Sequence, residues 1–291
     1  MIELIFIILG AIFGSFAGAQ VWRLRARQLS NDKALGYDYD KKELKKLTPL
    51  LKSHAKTDRS RCLNCGHVLG WIDLIPLVSW LSTGGKCRYC KHRIGNFEPL
   101  IEVAGATLFG VSAWKLLPGI VSPLDIAQLT LWIIACVLML ILLAYDAKWF
   151  LLPDSINFAF IGISILYALT YLYEQHFALS SIISLGGALL FLTGLYGALY
   201  FLSKGQWIGF GDVKLSIGLA LFVGTWQLGF LTLFLANLIG TLAVLPALMT
   251  SKIGRKAQIP FGPFLILGMI IAVLFGNDII RYYDQMTSTI F

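Results

Sequence analysis

Residues 213 to 249 read VKLSIGLALFVGTWQLGFLTLFLANLIGTLAVLPALM, and the architecture turns on whether this stretch crosses a bilayer once or twice. A hydrocarbon core of about 30 Å is filled by about 20 residues of helix, so these 37 are too many for one crossing. Charge points the same way. As a single helix the stretch would put Lys252, Arg255 and Lys256 opposite the main basic cluster, whereas spans at 213–225 and 227–249 put them on the same side. Two spans are the better reading, the first of them short.

Composition sets the solvent for the whole chain. With 57% hydrophobic and 14% charged residues and a mean hydropathy of +0.74, the 291 residues are too apolar for a soluble domain. Further spans are expected at 2–22, 99–117, 125–145, 155–173, 180–202 and 261–281, giving an all-α polytopic membrane protein of about eight transmembrane helices. The opening MIELIFIILGAIFGSFAGAQVW carries Glu3 where a signal peptide has a basic leader, and its basic cluster follows the apolar run, so it reads as an uncleaved span. Of 24 lysines and arginines, sixteen lie between Arg23 and Arg93. Lys148, Lys204, Lys214, Lys252, Arg255 and Lys256 fall on that same side, and only Lys115 and Arg281 fall opposite. This asymmetry predicts a cytoplasmic region 23–98 with both termini outside.

Three regions follow: a first transmembrane helix at 1–22, a cytoplasmic region at 23–98, and a seven-helix membrane domain at 99–291. Residues 31–58 are charged and poor in aromatics. Leu44, Leu47 and Leu51 have helical spacing, but Pro49 interrupts, and a solvated connector is expected in preference to a basic helix lying on anionic lipid. Beyond it, Cys62 and Cys65, then Cys87 and Cys90, form two Cys-x-x-Cys pairs 21 residues apart, with glycines at 66, 84 and 85 for tight turns. Four such thiolates suit structural zinc in a small ribbon-like insertion between the first and second spans, where metal replaces a missing core. Disulfides and redox motifs fit a reducing compartment and this surrounding sequence less well. His54, His67 and His92 read as solvated, with His67 the one that could replace a cysteine; Cys136, inside a span, reads as a packing residue.

Side-by-side accounting then sorts the acids. Asp146 closes the third span and Asp212 precedes the sixth on the same face, so the two can meet; Asp125, Glu174, Asp278 and Asp284 fall on the outer side. Asp154, after Pro153 and before a span, reads as a helix N-cap. Two facing carboxylates can activate water for peptide hydrolysis, one as general base and one as general acid. Glu102 is a third polar candidate near the same boundary. Gly209 and Gly211 would let the backbone bend and a substrate approach, and Lys214 joins them as a candidate for substrate contact or support of the pair.

The chain resembles the type IV prepilin peptidases over nearly its whole length. The resemblance rests on GSF at 14–16, the two cysteine pairs with IPLVSW and GKCRYC, EPLIE at 98–102, DAKWFLLPD at 146–154, GFGDVKL at 209–215 and IPFGPFL at 259–265. It implies a membrane aspartic peptidase of the bacterial inner membrane with Asp146 and Asp212 as catalytic pair. It also implies prepilin or pseudopilin substrates cut on the cytoplasmic side, in pilus assembly, protein secretion or competence, and methylation of the new N-terminus by S-adenosylmethionine. The net charge of +9 over residues 23–98 is attributed to topology and lipid headgroups, and no nucleic-acid partner is expected. A proton-coupled or metal transporter using the same aspartates, and a zinc-stabilised assembly scaffold, are the competing readings.

Overall fold

The computed structural model describes residues 1–51, 59–250 and 259–290. Among the described residues the regular structure is helical, with two isolated β-bridges, Arg61 to Val68 and Lys86 to Arg93, in the turns between the helices. The chain divides into two compact units, Met1–Trp114 and Lys115–Phe291.

In the first unit, α1 (Ile2–Leu35) runs well past the expected end of the span. At 1.5 Å per residue its 34 residues measure about 50 Å, so a stalk extends beyond a hydrocarbon core of about 30 Å. Helix α2 (Lys41–Leu51) packs on that stalk. Leu47 is fully buried with Ala26 and Leu29, and Glu43 accepts from Arg25 Nη2 at 2.7 Å and Nε at 2.9 Å. The expected solvated connector is therefore corrected over these residues: the leucine stripe has a partner, and Pro49 is tolerated inside the helix near its end. His54 lies outside the described residues. A short 3₁₀ turn (Trp71–Leu74) and α3 (Val78–Ser82) follow, then α4 (Phe97–Leu116). Where α1 and α4 cross, a Cβ on Gly14 would stand 2.8 Å from the Glu102 Cα, so the two backbones are in direct contact.

The second unit holds α5 (Pro123–Trp149), α6 (Asp154–Glu174), α7 (Leu179–Leu189), a π turn (Leu190–Gly194), α8 (Leu195–Ser203), α9 (Phe210–Val223), α10 (Trp226–Met249) and α11 (Gly262–Ile290). The deciding stretch breaks as expected. Gly224 ends α9 in the left-handed region at φ 70°, and the Thr225 hydroxyl accepts from the Leu228 N–H at 3.4 Å to start α10. Among the described residues seven helical segments are long and apolar enough to cross a membrane. Helix α9, expected as a short eighth span, has 14 residues and measures about 21 Å, less than the length of those seven. Its shortness is tolerated because it packs against α6, α7, α8, α10 and α11. Phe222, 2% exposed, lies between the Trp132 ring at 5.5 Å and the Tyr167 ring at 4.0 Å.

Candidate active site and metal centre

Asp146 lies inside the last turn of α5, three residues before its end, and is 4% exposed. Trp149 is the final helical residue. Phe150 then turns the chain in the left-handed region at φ 57°, and Leu151–Pro153 lead into α6. One Asp146 oxygen, Oδ2, accepts the backbone N–H of Gly262 at 3.0 Å. Asp212 is the third residue of α9 and half-buried. Its own N–H reaches the Gly209 carbonyl at 3.1 Å, and its Oδ2 lies 3.5 Å from where a Gly209 Cβ would stand. The two acids stand close enough for the charge of Asp212 to act on Asp146. Both are thus members of helical turns, where the sequence placed them just outside the spans.

Several neighbours had no signal in the sequence. Gly262 opens α11, and a Cβ there would lie 2.7 Å from Asp146 Oδ2, so any side chain at 262 competes with the carboxylate for space. Asn157, fully buried in α6, donates from Nδ2 to the Gly211 carbonyl at 3.1 Å and so ties α6 to the turn that carries Asp212, while its Oδ1 has no partner. Leu152 packs between the two glycines: a Cβ on Gly211 would meet its Cβ at 3.1 Å, and one on Gly262 its Cδ2 at 3.6 Å. Tyr196 of α8 is 2% exposed, feels the charge of Asp212, and has its ring 5.7 Å from that of Phe261. The motif IPFGPFL, which brings Phe261 and Gly262, was the one available pointer.

The supporting candidates fall in different places. Gly209 has room on its Cα side, with the nearest contact for a Cβ at 3.5 Å; Gly211 does not, and close packing accounts for it better than substrate approach. Lys214 donates to Asp154, with its ammonium 5.2 Å from the Phe210 ring centre and 5.5 Å from that of Phe158. Asp154 consequently pairs with Lys214 and does not cap α6, whose N-cap is Pro153. Glu102 has a partner within the first unit: its buried side chain accepts the Leu77 N–H at 2.8 Å.

The cysteines form a compact set. The four Sγ atoms of Cys62, Cys65, Cys87 and Cys90 lie within 4.8 Å of one another. Cys62 and Cys90 are 3.9 Å apart, against about 3.8 Å for the edge of a tetrahedron with Zn–S bonds of about 2.3 Å. Two matching turns build the set. The Cys62 N–H donates to the His67 carbonyl at 3.0 Å and the Gly66 N–H to the Cys62 carbonyl at 2.9 Å; Cys87, His92 and Lys91 repeat both bonds at 2.8 and 2.9 Å. The His92 backbone N–H and the Asn64 amide pull the Cys90 thiol down to about 6, whereas burial pushes Cys87 up. The donor set fits one zinc ion. His67 stacks on Tyr89, ring centres 3.7 Å apart, and is not in the group.

Residues 8–116 match the family model for the bacterial peptidase A24 N-terminal domain, and residues 133–245 match that for the type IV leader peptidase family. A prepilin leader peptidase/N-methyltransferase of Pseudomonas aeruginosa is 32% identical over 287 residues, covering 96% of this chain and 92% of the relative. Proteins of the same name from Aeromonas hydrophila (31% identical; 77% of this chain, 74% of the relative) and Bacillus subtilis (28%; 78% and 86%) are also similar. No solved structure matches the chain.

Proposed function

Since the chain belongs to the type IV leader peptidase family, whose relatives are prepilin leader peptidase/N-methyltransferases, we propose that Asp146 and Asp212 are its catalytic pair, cutting the leader from a prepilin or pseudopilin at the membrane boundary. The observation that carries this reading is the convergence of two carboxylates from α5 and α9 within each other's field, with Asp146 held by the Gly262 N–H and Asp212 at the glycine-flanked start of α9. One carboxylate takes a proton from water as the water attacks the scissile carbonyl, and the other, protonated, gives its proton to the departing amine. Like charges so close favour one shared proton, which supplies the base and the acid together.

The new N-terminus is then methylated, with S-adenosylmethionine as donor; the names of the relatives support this step. Cys62, Cys65, Cys87 and Cys90 hold zinc, which gives this small segment a fixed fold. Cleavage faces the cytoplasm in the bacterial inner membrane, as the sixteen basic residues between Arg23 and Arg93 favour.

Purified protein in detergent, incubated with a synthetic prepilin and followed by mass spectrometry, tests the pair. Asp146→Asn and Asp212→Asn are each expected to abolish cleavage while the folded protein is retained. Near-normal turnover in either variant would remove that residue from the chemistry.

A further inference from the structure

Between the two cysteine turns lies an eleven-residue stretch, Trp71 to Leu81, whose large apolar side chains face outward. Trp71 is 76% exposed, Leu81 69%, Val78 58% and Ile72 48%, with Leu74 and Ile75 also exposed. A soluble loop does not gather six such groups at adjacent positions without something to cover them.

The fold specifies the depth at which this surface sits. The Leu77 N–H donates to Glu102, whose backbone lies directly against Gly14 of α1, the residue before Ser15. Ser15 precedes Arg23, the first basic residue of that helix, by eight positions, or about 12 Å of helix. Leu77 therefore reaches well inside the level at which α1 becomes charged. Leu77 itself holds φ 60°, a left-handed conformation unusual for leucine, and Trp80 Nε1 donates to the Gly95 carbonyl just before α4. On the same turn of α4 as Glu102, Leu100 and Val103 are 66% and 47% exposed on a helix long and apolar enough to span the membrane. The exposed apolar stretch is thus tied through Leu77 to the turn of α4 that carries these exposed apolar residues.

Its neighbour has the complementary charge. The second cysteine turn carries Lys86, Arg88, Lys91 and Arg93, all exposed. Asp73 joins the apolar stretch to that turn, accepting from Arg88 Nε at 2.8 Å, the Tyr89 hydroxyl at 3.1 Å and the Gly70 N–H at 3.1 Å. Apolar side chains beside a basic rim, with a tryptophan at the margin, match the boundary between acyl chains and anionic headgroups.

We propose that residues 71–81 form a membrane-dipping element, a loop that enters one leaflet of an anionic phospholipid bilayer without crossing it and holds the cysteine segment at the membrane surface. Trp71, Val78 and Leu81 meet acyl chains, and the basic residues of the second turn meet phosphate groups. The zinc-loaded full chain, reconstituted in vesicles containing about 30% phosphatidylglycerol, is irradiated with a phosphatidylcholine that carries a diazirine on its acyl chain, and adducts are mapped by peptide mass spectrometry. Adducts are expected within 71–81 at yields within about threefold of those at Leu100 and Val103, and lower when the vesicles lack anionic lipid. The double variant Val78→Asp, Leu81→Asp is expected to lose the loop adducts and keep those on α4. Labelling of α4 with none at 71–81, or loop labelling unchanged in the double variant, would overturn the proposal. So would a photoreactive p-benzoylphenylalanine in place of Leu81 that couples to prepilin or to a second copy of the chain instead of lipid.

Discussion

Replacing Gly262 by alanine isolates the contact between α11 and Asp146. The new Cβ would stand 2.7 Å from Asp146 Oδ2 and 3.3 Å from its Cγ, and 3.6 Å from Leu152 Cδ2. A carbon and an oxygen at 2.7 Å overlap by roughly half an ångström, and no flexible tail is available to yield. Either the carboxylate rotates or the start of α11 withdraws, and both lengthen the 3.0 Å bond from the Gly262 N–H. Hydrogen bonds to charged groups contribute about 1.5–3 kcal/mol, which corresponds to roughly 10- to 150-fold in rate if the bond orients the reacting carboxylate. Alanine is as good a helix former as any residue, so α11 itself should not weaken. The expected outcome is a fall of that size in kcat for a synthetic prepilin, a smaller change in KM and an unchanged melting temperature. Gly162→Ala serves as the control: a Cβ there meets nothing within 4 Å. A Gly262→Ala enzyme within about threefold of wild type would refute the claim that this N–H positions Asp146.

Lys91→Gly is expected to stabilise the second cysteine turn by about 1 kcal/mol, because Lys91 holds φ 59° where the first turn has Gly66 at 71°; a higher chelator concentration for half-release of zinc is the readout, and an unchanged midpoint counts against it. Asp154→Asn and Lys214→Met should cost activity equally and not additively, since each breaks the same pair; additive losses in a double-mutant cycle would give Lys214 a role of its own. Asn157→Leu leaves the Gly211 carbonyl without its donor and should lower kcat and destabilise by about 1–3 kcal/mol, whereas full activity at unchanged stability would show that this tie is dispensable.

What could be read in advance, and what could not, divides by the range of the cause. Hydropathy and length are properties of contiguous residues, so the break in 213–249 was legible, and Gly224 with Thr225 supplies its local chemistry. Charge asymmetry brought Asp146 and Asp212 to one face. The stalk of α1 was not legible, because residues 23–35 are polar and continue the helix only with α2 packed through Leu47 against Ala26 and Leu29. Gly262 and Asn157 were missed for the same reason. Their partners lie 116 and 54 residues away, and although IPFGPFL marks the stretch around Gly262, no local pattern names either partner. Asp154 misled because its short polar side chain suits an N-cap, while the ammonium that occupies it arrives from another helix.

The surroundings of the two carboxylates explain why the conspicuous motifs contain glycine. Asp146 is held by the N–H of Gly262 at the start of α11, and Asp212 is set in the first turn of α9, where its own N–H reaches the Gly209 carbonyl. The first N–H groups of a helix have no partner within it, so a helix start offers donors fixed by the backbone. Donors of that kind position an acid without the rotamer freedom of a side-chain partner, and at 262 a Cβ would occupy the space the carboxylate needs. Leu152 then packs beside both Gly211 and Gly262, so the segment that follows Asp146 also contacts the helix start that holds it. Two carboxylates in an apolar setting repel whenever both are charged, so their proximity survives only if each is restrained from a direction the other does not use. Helices α9 and α11 supply those two directions, which is why loosening either helix start should disturb both acids and not merely the nearer one.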